Sequence, residues 1–293
     1  TVDLNRSADW WAKKNRGSRP KADVPTQPAY WRAKTFGWTD NPYDVIQFHN
    51  YSYTGGSDQF AGGINAGLPP ELSHVLKAVD EFVWFRNKYA PWALVDVGEW
   101  GYDINPNSPM NAPTIDRYTT EQVRGAWAIR TLLEYNAHGV DKAQCYRLYM
   151  DNESDSSNPT QFASMSLLKY NNDGTISRRA VGNYFRQLSG FGDYVFDSTL
   201  RNDSLRVLRF KKDKYDLYAI WSVEKMSMQQ GQRPVFINRT GIYNLLLPSG
   251  SRINIKKFQD KDAAMSDNEY IVKGHSFPVK YYLKPVLVVV SNH

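Results

Sequence analysis

Cysteine is almost missing from the 293-residue sequence: Cys145 stands alone. One thiol excludes an intrachain disulfide and any site built from several thiolates. Its setting, "KAQCYRLYM", reads as a buried strand, in which cysteine serves as a small core residue. Long apolar runs are missing too. None approaches the roughly 20 residues of a bilayer-spanning helix, and the opening "TVDLNRSADWW" has no signal-peptide pattern. Concentrated charge of one sign is also absent. Thirty-six Lys and Arg against 30 Asp and Glu leave a net charge of +6, but the basic residues are scattered and "KKDK" (211 to 214) is their densest run. A nucleic-acid partner is therefore not expected. The five His residues show no metal-ligand spacing, so neither a metal nor another cofactor is expected. No internal repeat or low-complexity tract is visible.

What is abundant is aromatic. Nine Trp and 19 Tyr supply core, and a surplus of flat rings is also what a sugar-binding cleft needs. With 41% hydrophobic residues the chain can bury a large core. Its length allows one large domain or two ordinary ones.

Two textures follow one another. From about residue 42 to 190, apolar strands alternate with amphipathic segments. "YDVIQFHNYSY" (43 to 53) is a strand. "PPELSHVLKAVDEFVWFRNKYA" opens on prolines and spaces Leu72, Val75, Leu76, Val79, Phe82 and Val83 as a helix does. "WALVDVG" is the second strand. A loop rich in Asn and Pro leads to "TTEQVRGAWAIRTLLEYNAHG", with a capping box at Thr119 and Gln122 and a left-handed cap expected at Gly139. "KAQCYRLYMD" is the third strand. This order predicts parallel βαβ units. After about 192, "LRVLRFKK", "YDLYAIWSV", "GIYNLLLPSG", "SRINIKKF" and "KPVLVVVS" are short strands between turns, which predicts an antiparallel β-sandwich. The expected domains are 1–192 and 193–293.

The segment "WALVDVGEWGYD" (92 to 103) places a carboxylate, Glu99, at the tip of a buried strand. That position is costly unless the charge is paired or used. In a (β/α)8 barrel, functional groups sit at the C-terminal ends of the strands. Three strands here end in polar clusters: His49, Asn50 and Tyr51; Glu99 and Trp100, with Tyr102 and Asp103 behind them; and Asp151, Asn152 and Glu153. All three would face one cleft.

These residues carry a resemblance. "VDVGEWGYD" resembles the strand-seven motif of clan A glycoside hydrolases, in which a glutamate at the strand tip is the nucleophile. "DVIQFHNYSY" is similar to their strand six, and the capped helix with "CYRLYMDN" to the closing strand-eight unit. The trailing strands match the sandwich that follows the barrel in β-xylosidase-like and α-iduronidase-like families. The resemblance covers residues 40 to 290. It implies the C-terminal portion of a (β/α)8 barrel followed by a β-sandwich, a carbohydrate substrate, and an extracellular, periplasmic or cell-surface location. It makes Glu99 the catalytic nucleophile of a retaining enzyme, with His49, Tyr51, Trp100, Tyr102 and Asp151 as substrate-binding candidates.

The sequence also departs from the family pattern. The clan's acid/base glutamate follows an asparagine on strand four, yet no Glu precedes Glu71, which reads as a helix N-terminal residue. The Asn-Glu pair Asn152-Glu153 falls after the nucleophile position. The first strands of a barrel are missing as well. The expectation is a partial chain whose barrel and acid/base are completed by an absent segment or a companion chain.

Plainer readings stand beside each assignment. Glu99 could be a paired structural carboxylate, His49 a hydrogen-bonded structural residue, Asp151 a loop organiser and Asp96 a cap for a neighbouring loop. Asn5, Asn50, Asn152, Asn202 and Asn238 head N-x-S/T tripeptides, which also arise by chance. The alternative function is a non-catalytic glycan-binding or structural part of a surface assembly that keeps the glycosidase fold.

Overall fold

A computed structural model describes residues 44–55, 64–149 and 157–291. The first part is built on three parallel strands: β1 (Val45–His49), β2 (Leu94–Trp100) and β3 (Lys142–Cys145), hydrogen-bonded in that order. Helix α1 (Val75–Tyr89) connects β1 to β2, and α2 (Thr120–Ala137) connects β2 to β3. A short 3-10 turn, Pro70–Leu72, precedes α1. β1 alternates strictly, burying Ile46 and Phe48. These two pack with Val95 and Val97 against Val75, Val79 and Phe82 of α1, and the Phe48 and Phe82 rings stack at 3.9 Å. The capping box at Thr119 forms in both directions, and Gly139 takes φ +84°, where a side chain would be strained.

β3 is shorter than its sequence suggested. It stops at Cys145, and the expected strand-eight cluster of Asp151, Asn152 and Glu153 lies outside the described residues. Burial pushes the Cys145 thiol up to about 12, as befits a core cysteine. Neither the β4–β5 pair (Leu168–Tyr170, Ile176–Arg178) nor helix α3 (Ala180–Leu188) was expected from the sequence.

Beyond α3 the chain is all strand. β6 (Val195–Asn202), β7 (Leu205–Lys212), β8 (Tyr215–Ser222), β12 (Arg252–Lys257), β13 (Ser266–Ile271) and β15 (Val286–Ser291) form one six-stranded antiparallel sheet in the order β13-β12-β15-β8-β7-β6. β9 (Lys225–Ser227) pairs with β10 (Val235–Ile237), and β11 (Gly241–Leu246) with β14 (Ser276–Tyr281). Alternation explains the heavy apolar content of β7, β8 and β15. Val207, Ile220, Val286 and Val288 face Leu245 and Val279 of the β11–β14 pair. Leu208, Phe210, Leu217, Ala219 and Leu287 face Ile129 and Leu133 of α2 and Tyr184 of α3. A sheet covered on both faces needs apolar residues at nearly every position.

Helix α2 joins the two parts. Its residues divide among three apolar clusters: Ala128 and Tyr135 face the parallel sheet, Val123, Ala126 and Trp127 the loop after β2, and Ile129 and Leu133 the antiparallel sheet. A helix buried all round tolerates little added volume. A Cβ on Gly125 would lie 2.5 Å from Cε2 of the fully buried Tyr184 ring. Gly125→Ala is expected to destabilise by about 1–3 kcal/mol through overpacking, despite the helix-propensity gain. Urea denaturation checks this.

The same helix carries a buried charge network into the antiparallel sheet. Arg130 bonds Glu224 through Nη1 (2.7 Å) and Nη2 (2.9 Å) and Glu71 through Nε (2.9 Å) and Nη2. Trp127 Nε1 donates to Glu224 at 2.8 Å and Trp221 Nε1 to Glu71 at 2.6 Å. Glu71 is thus both a residue of the first turn of a short helix, as the sequence suggested, and a buried ion-pair partner. Burial works against its charge, yet the Arg130 guanidinium holds its carboxyl below the ordinary range.

Glu134, one turn along α2, lies beside this network with Arg206 Nε 2.9 Å away and His138 Nε2 at 3.7 Å. Burial, reinforced by the Glu71 charge, pushes Glu134 up to about 7. The native state therefore holds a proton that the unfolded chain releases near 4.5. The stabilisation from that proton is complete below pH 4.5 and is lost as pH rises to about 7. Glu71 shifts the other way and acts only below that window. Glu134→Gln is expected to remove this fall, so that wild type loses stability relative to the variant between pH 4.5 and 7. Denaturation midpoints at pH 5 and 8 measure it.

Candidate functional site

The polar cluster at the ends of β1 and β2 depends on an irregularity. Phe48 pairs with Val97 and His49 with Glu99, so Gly98 has no partner and the register slips by one. The extra residue re-aims the side chains beyond it, as bulges do. A Cβ on Gly98 would meet the Gln47 side chain at 2.7 Å, so a larger residue there would displace that side chain. Beyond the bulge, Asn50 fixes the end of β1: its N–H donates to the Glu99 carbonyl at 2.9 Å and its side chain to the Val75 carbonyl at 3.0 Å. Buried and bonded in this way, Asn50 is unsuited to carry a glycan.

The structure brings together three of the residues singled out in the sequence. Tyr51 O–H donates to Glu99 Oε2 at 2.9 Å, and His49 Nδ1 lies 3.2 Å from the same oxygen. Burial and the Glu99 carboxylate push the Tyr51 phenol far above its ordinary value. Tyr51 therefore stays protonated and serves as a donor. Glu99 Oε1 has no hydrogen bond among the described residues, and the side chain is 34% exposed. The carboxylate thus has one oxygen held and the other without a hydrogen bond among the described residues.

Trp100 and Tyr102 are placed elsewhere, which corrects their assignment to a sugar subsite. Trp100 is 1% exposed and packs edge-on against Tyr135, with Phe185 alongside. Tyr102 is 2% exposed, tilted against Trp127 and hydrogen-bonded to Thr131. Neither has a ring face open to a ligand. Both lie close to the strand tip in sequence, but one step of alternation turns each into the core. Asp151 lies outside the described residues. Asp96 is not a loop cap: its Oδ2 accepts from Gln47 (2.9 Å) and Gln144 (3.0 Å) on the flanking strands, and its Oδ1 is buried without a partner among the described residues.

Two residues to which the sequence gives no evident role shape the wall beside Glu99. Asp103 is fully buried and accepts from the N–H groups of Phe162 (3.0 Å) and Ser164 (2.7 Å) and from the hydroxyls of Ser108 and Ser164. Arg124 of α2 donates to the carbonyls of Ser164, Met165 and Ser166. Between them they hold Phe162 at φ +70°, a costly conformation for a residue with a side chain. The Phe162 ring sits 4.8 Å from the Tyr51 ring. Asp103, just ahead of a turn-rich segment, was a visible carboxylate. Apart from Ser108, its partners come from residues about 60 positions away, which no local pattern reveals.

Among the described residues no group of His, Cys, Asp and Glu is arranged to hold a metal, and no helix is long and apolar enough to cross a membrane.

No protein-family model matches the chain, and no curated protein matches it in sequence. Its fold does resemble solved structures. A family 44 glycoside hydrolase endoglucanase described from Clostridium acetobutylium superposes with a TM-score of 0.53 at 12% identity, covering 100% of this chain and 56% of that one. A family 39 glycoside hydrolase from the gut symbiont Bacteroides cellulosilyticus gives 0.52 at 15% identity, covering 89% and 47%. CelM2, a bifunctional glucanase-xylanase from a metagenome library, gives 0.50 at 10% identity, covering 98% and 52%. The chain spans about half the length of these structures. The fold is therefore mixed α/β with a large antiparallel sheet, of the kind found in glycoside hydrolases.

Proposed function

We propose that the chain is the C-terminal portion of a (β/α)8-barrel glycoside hydrolase, with a boundary near residue 192 before its β-sandwich. It acts by retention on an oligosaccharide or polysaccharide outside the cytoplasm, with Glu99 as nucleophile. The observation that carries this reading is the division of labour within the part-exposed Glu99 carboxylate: Tyr51 and His49 lie on Oε2, while Oε1 has no hydrogen bond among the described residues. A nucleophile must stay ionised and keep one oxygen free to attack.

In the first step Oε1 bonds to the anomeric carbon as the glycosidic C–O bond breaks, and the leaving oxygen takes a proton from a second carboxyl. In the second step that residue deprotonates a water, which displaces Glu99. Retention needs the two carboxyls about 5 Å apart. The acid/base is assigned to a segment or companion chain that completes the barrel. Three features support such a completion: the matched structures are about twice as long as this chain, Val45 and Leu94 are exposed on the sheet face away from α1, and buried Asp96 Oδ1 has no partner there among the described residues.

The test is the anomeric configuration of the first product. Protein expressed from its complete reading frame is incubated with 4-nitrophenyl β-xyloside and β-glucoside and followed by proton NMR. Retained configuration is expected, and inversion would overturn the mechanism. Binding of xylan or β-glucan without hydrolysis would favour the non-catalytic reading.

A further inference from the structure

A second concavity lies at the junction of the end of β12, the loop into β15 and the two residues ahead of the α2 cap. It is an open groove of about 320 Å³, at the lower end of the range of ligand sites, roughly 300–1,000 Å³. It shares no residue with the Glu99 cluster.

Its charge is one-sided. Arg117, Lys257 and Lys284 line it. Arg117 is exposed, with its guanidinium 5.6 Å from the Tyr118 ring centroid. Stacking on a ring orients a guanidinium and leaves its donor edge available. Neither Arg117 nor Lys257 has a carboxylate partner among the described residues. Lys284 is the third cation, with Nζ 3.0 Å from Asp260 Oδ1 and 3.1 Å from the Tyr184 hydroxyl. Asp260 does not depend on it, because Gln122 (2.7 Å) and Tyr184 also donate to that carboxylate. Lys284 can turn to a ligand without stranding a buried charge. Three cations against one carboxylate leave a local excess of two positive charges.

The remaining lining is not that of a bare anion site. Tyr118, Tyr282 and Gln259 stand among the cations, supplying ring carbon, hydroxyls and an amide. A simple polyanion needs only charge, whereas a sugar acid needs apolar surface, hydroxyl partners and a cation for its carboxylate. We infer that this groove binds an acidic saccharide, its carboxylate held by Arg117 and Lys257. The choice of a saccharide rests on the glycosidase reading of the fold, but the binding itself does not require catalysis.

The experiment uses the Glu99→Gln protein, so that an inactive chain tests the groove as well as an active one. Trigalacturonate is titrated calorimetrically against it and against the same protein carrying Arg117→Ala and Lys257→Ala. Both positions are exposed, and matching melting curves verify folding. Measurable binding, weakened at least about tenfold by the double substitution, is the expected result, with xylotriose not bound. Failure of trigalacturonate to bind, or equal binding by both proteins, would overturn the proposal. Equal competition by poly-glutamate or single-stranded DNA would reduce the groove to an unspecific basic patch, which also overturns it. Preference for a sulfated trisaccharide over trigalacturonate would reject the carboxylate assignment.

Discussion

Replacing Glu99 with Gln is expected to lower the rate of glycoside hydrolysis on the order of 10³-fold or more, several kcal/mol of transition-state stabilisation. The amide keeps the shape of the side chain and can still accept the Tyr51 hydrogen bond through its carbonyl oxygen. What it loses is the negative charge on the oxygen that attacks. Because the Glu99 side chain is 34% exposed and sits at a strand end, the fold should be unaffected. Wild type and variant should melt together while kcat/KM for an aryl β-glycoside collapses. Unchanged kcat/KM would make Glu99 a structural carboxylate whose task is to bind Tyr51.

The largest stability effect is expected at Arg130. Its guanidinium joins Glu71 and Glu224, and all three side chains are nearly or wholly buried. Arg130→Met keeps much of the volume but leaves two buried carboxylates facing each other, with the Trp127 and Trp221 indoles as the remaining side-chain donors among the described residues. Removing one partner of a buried ion pair typically costs about 3–5 kcal/mol. The cost lies mainly in the stranded charges, so neutralising them should recover much of it. The triple variant Glu71→Gln, Arg130→Met, Glu224→Gln is expected to be more stable than Arg130→Met alone. Urea denaturation of the three proteins decides this, and a loss below about 1 kcal/mol for the single variant would show that the network is not what joins α2 to the antiparallel sheet.

The strand order was legible because each signal was local. β1 shows the period of two, α2 begins in a capping box and ends at a glycine with positive φ, and β7, β8 and β15 are dense in apolar residues. The helix α3 was missed because its nine residues carry two buried polar side chains, Asn183 and Gln187, whose partners at 259 to 263 lie far along the chain. β13 was missed for the opposite reason. As an edge strand with mostly exposed residues, "SDNEYI" shows no burial pattern, and its polarity is the usual protection of an edge.

At the site, the grouping of His49, Tyr51 and Glu99 was readable because parallel strands align their C-terminal ends. The Gly98 bulge was not. A glycine before a carboxylate has several readings, and only the pairing register shows that it sets the direction of Glu99 and turns Trp100 inward. The hold of Asp103 on Phe162 and Ser164 is longer in range still, and it links the wall of the cleft to the loop after β2.

Covalent capture tests the account at its centre. The protein expressed from its complete reading frame is incubated with an activated 2-deoxy-2-fluoro glycoside, digested with a protease and analysed by mass spectrometry. The account predicts that the peptide containing "VDVGEWGYD" gains the mass of one fluoro-sugar, with fragmentation placing it on Glu99 and no adduct in Glu99→Gln. An adduct on any other carboxylate of a hydrolytically active protein would contradict it.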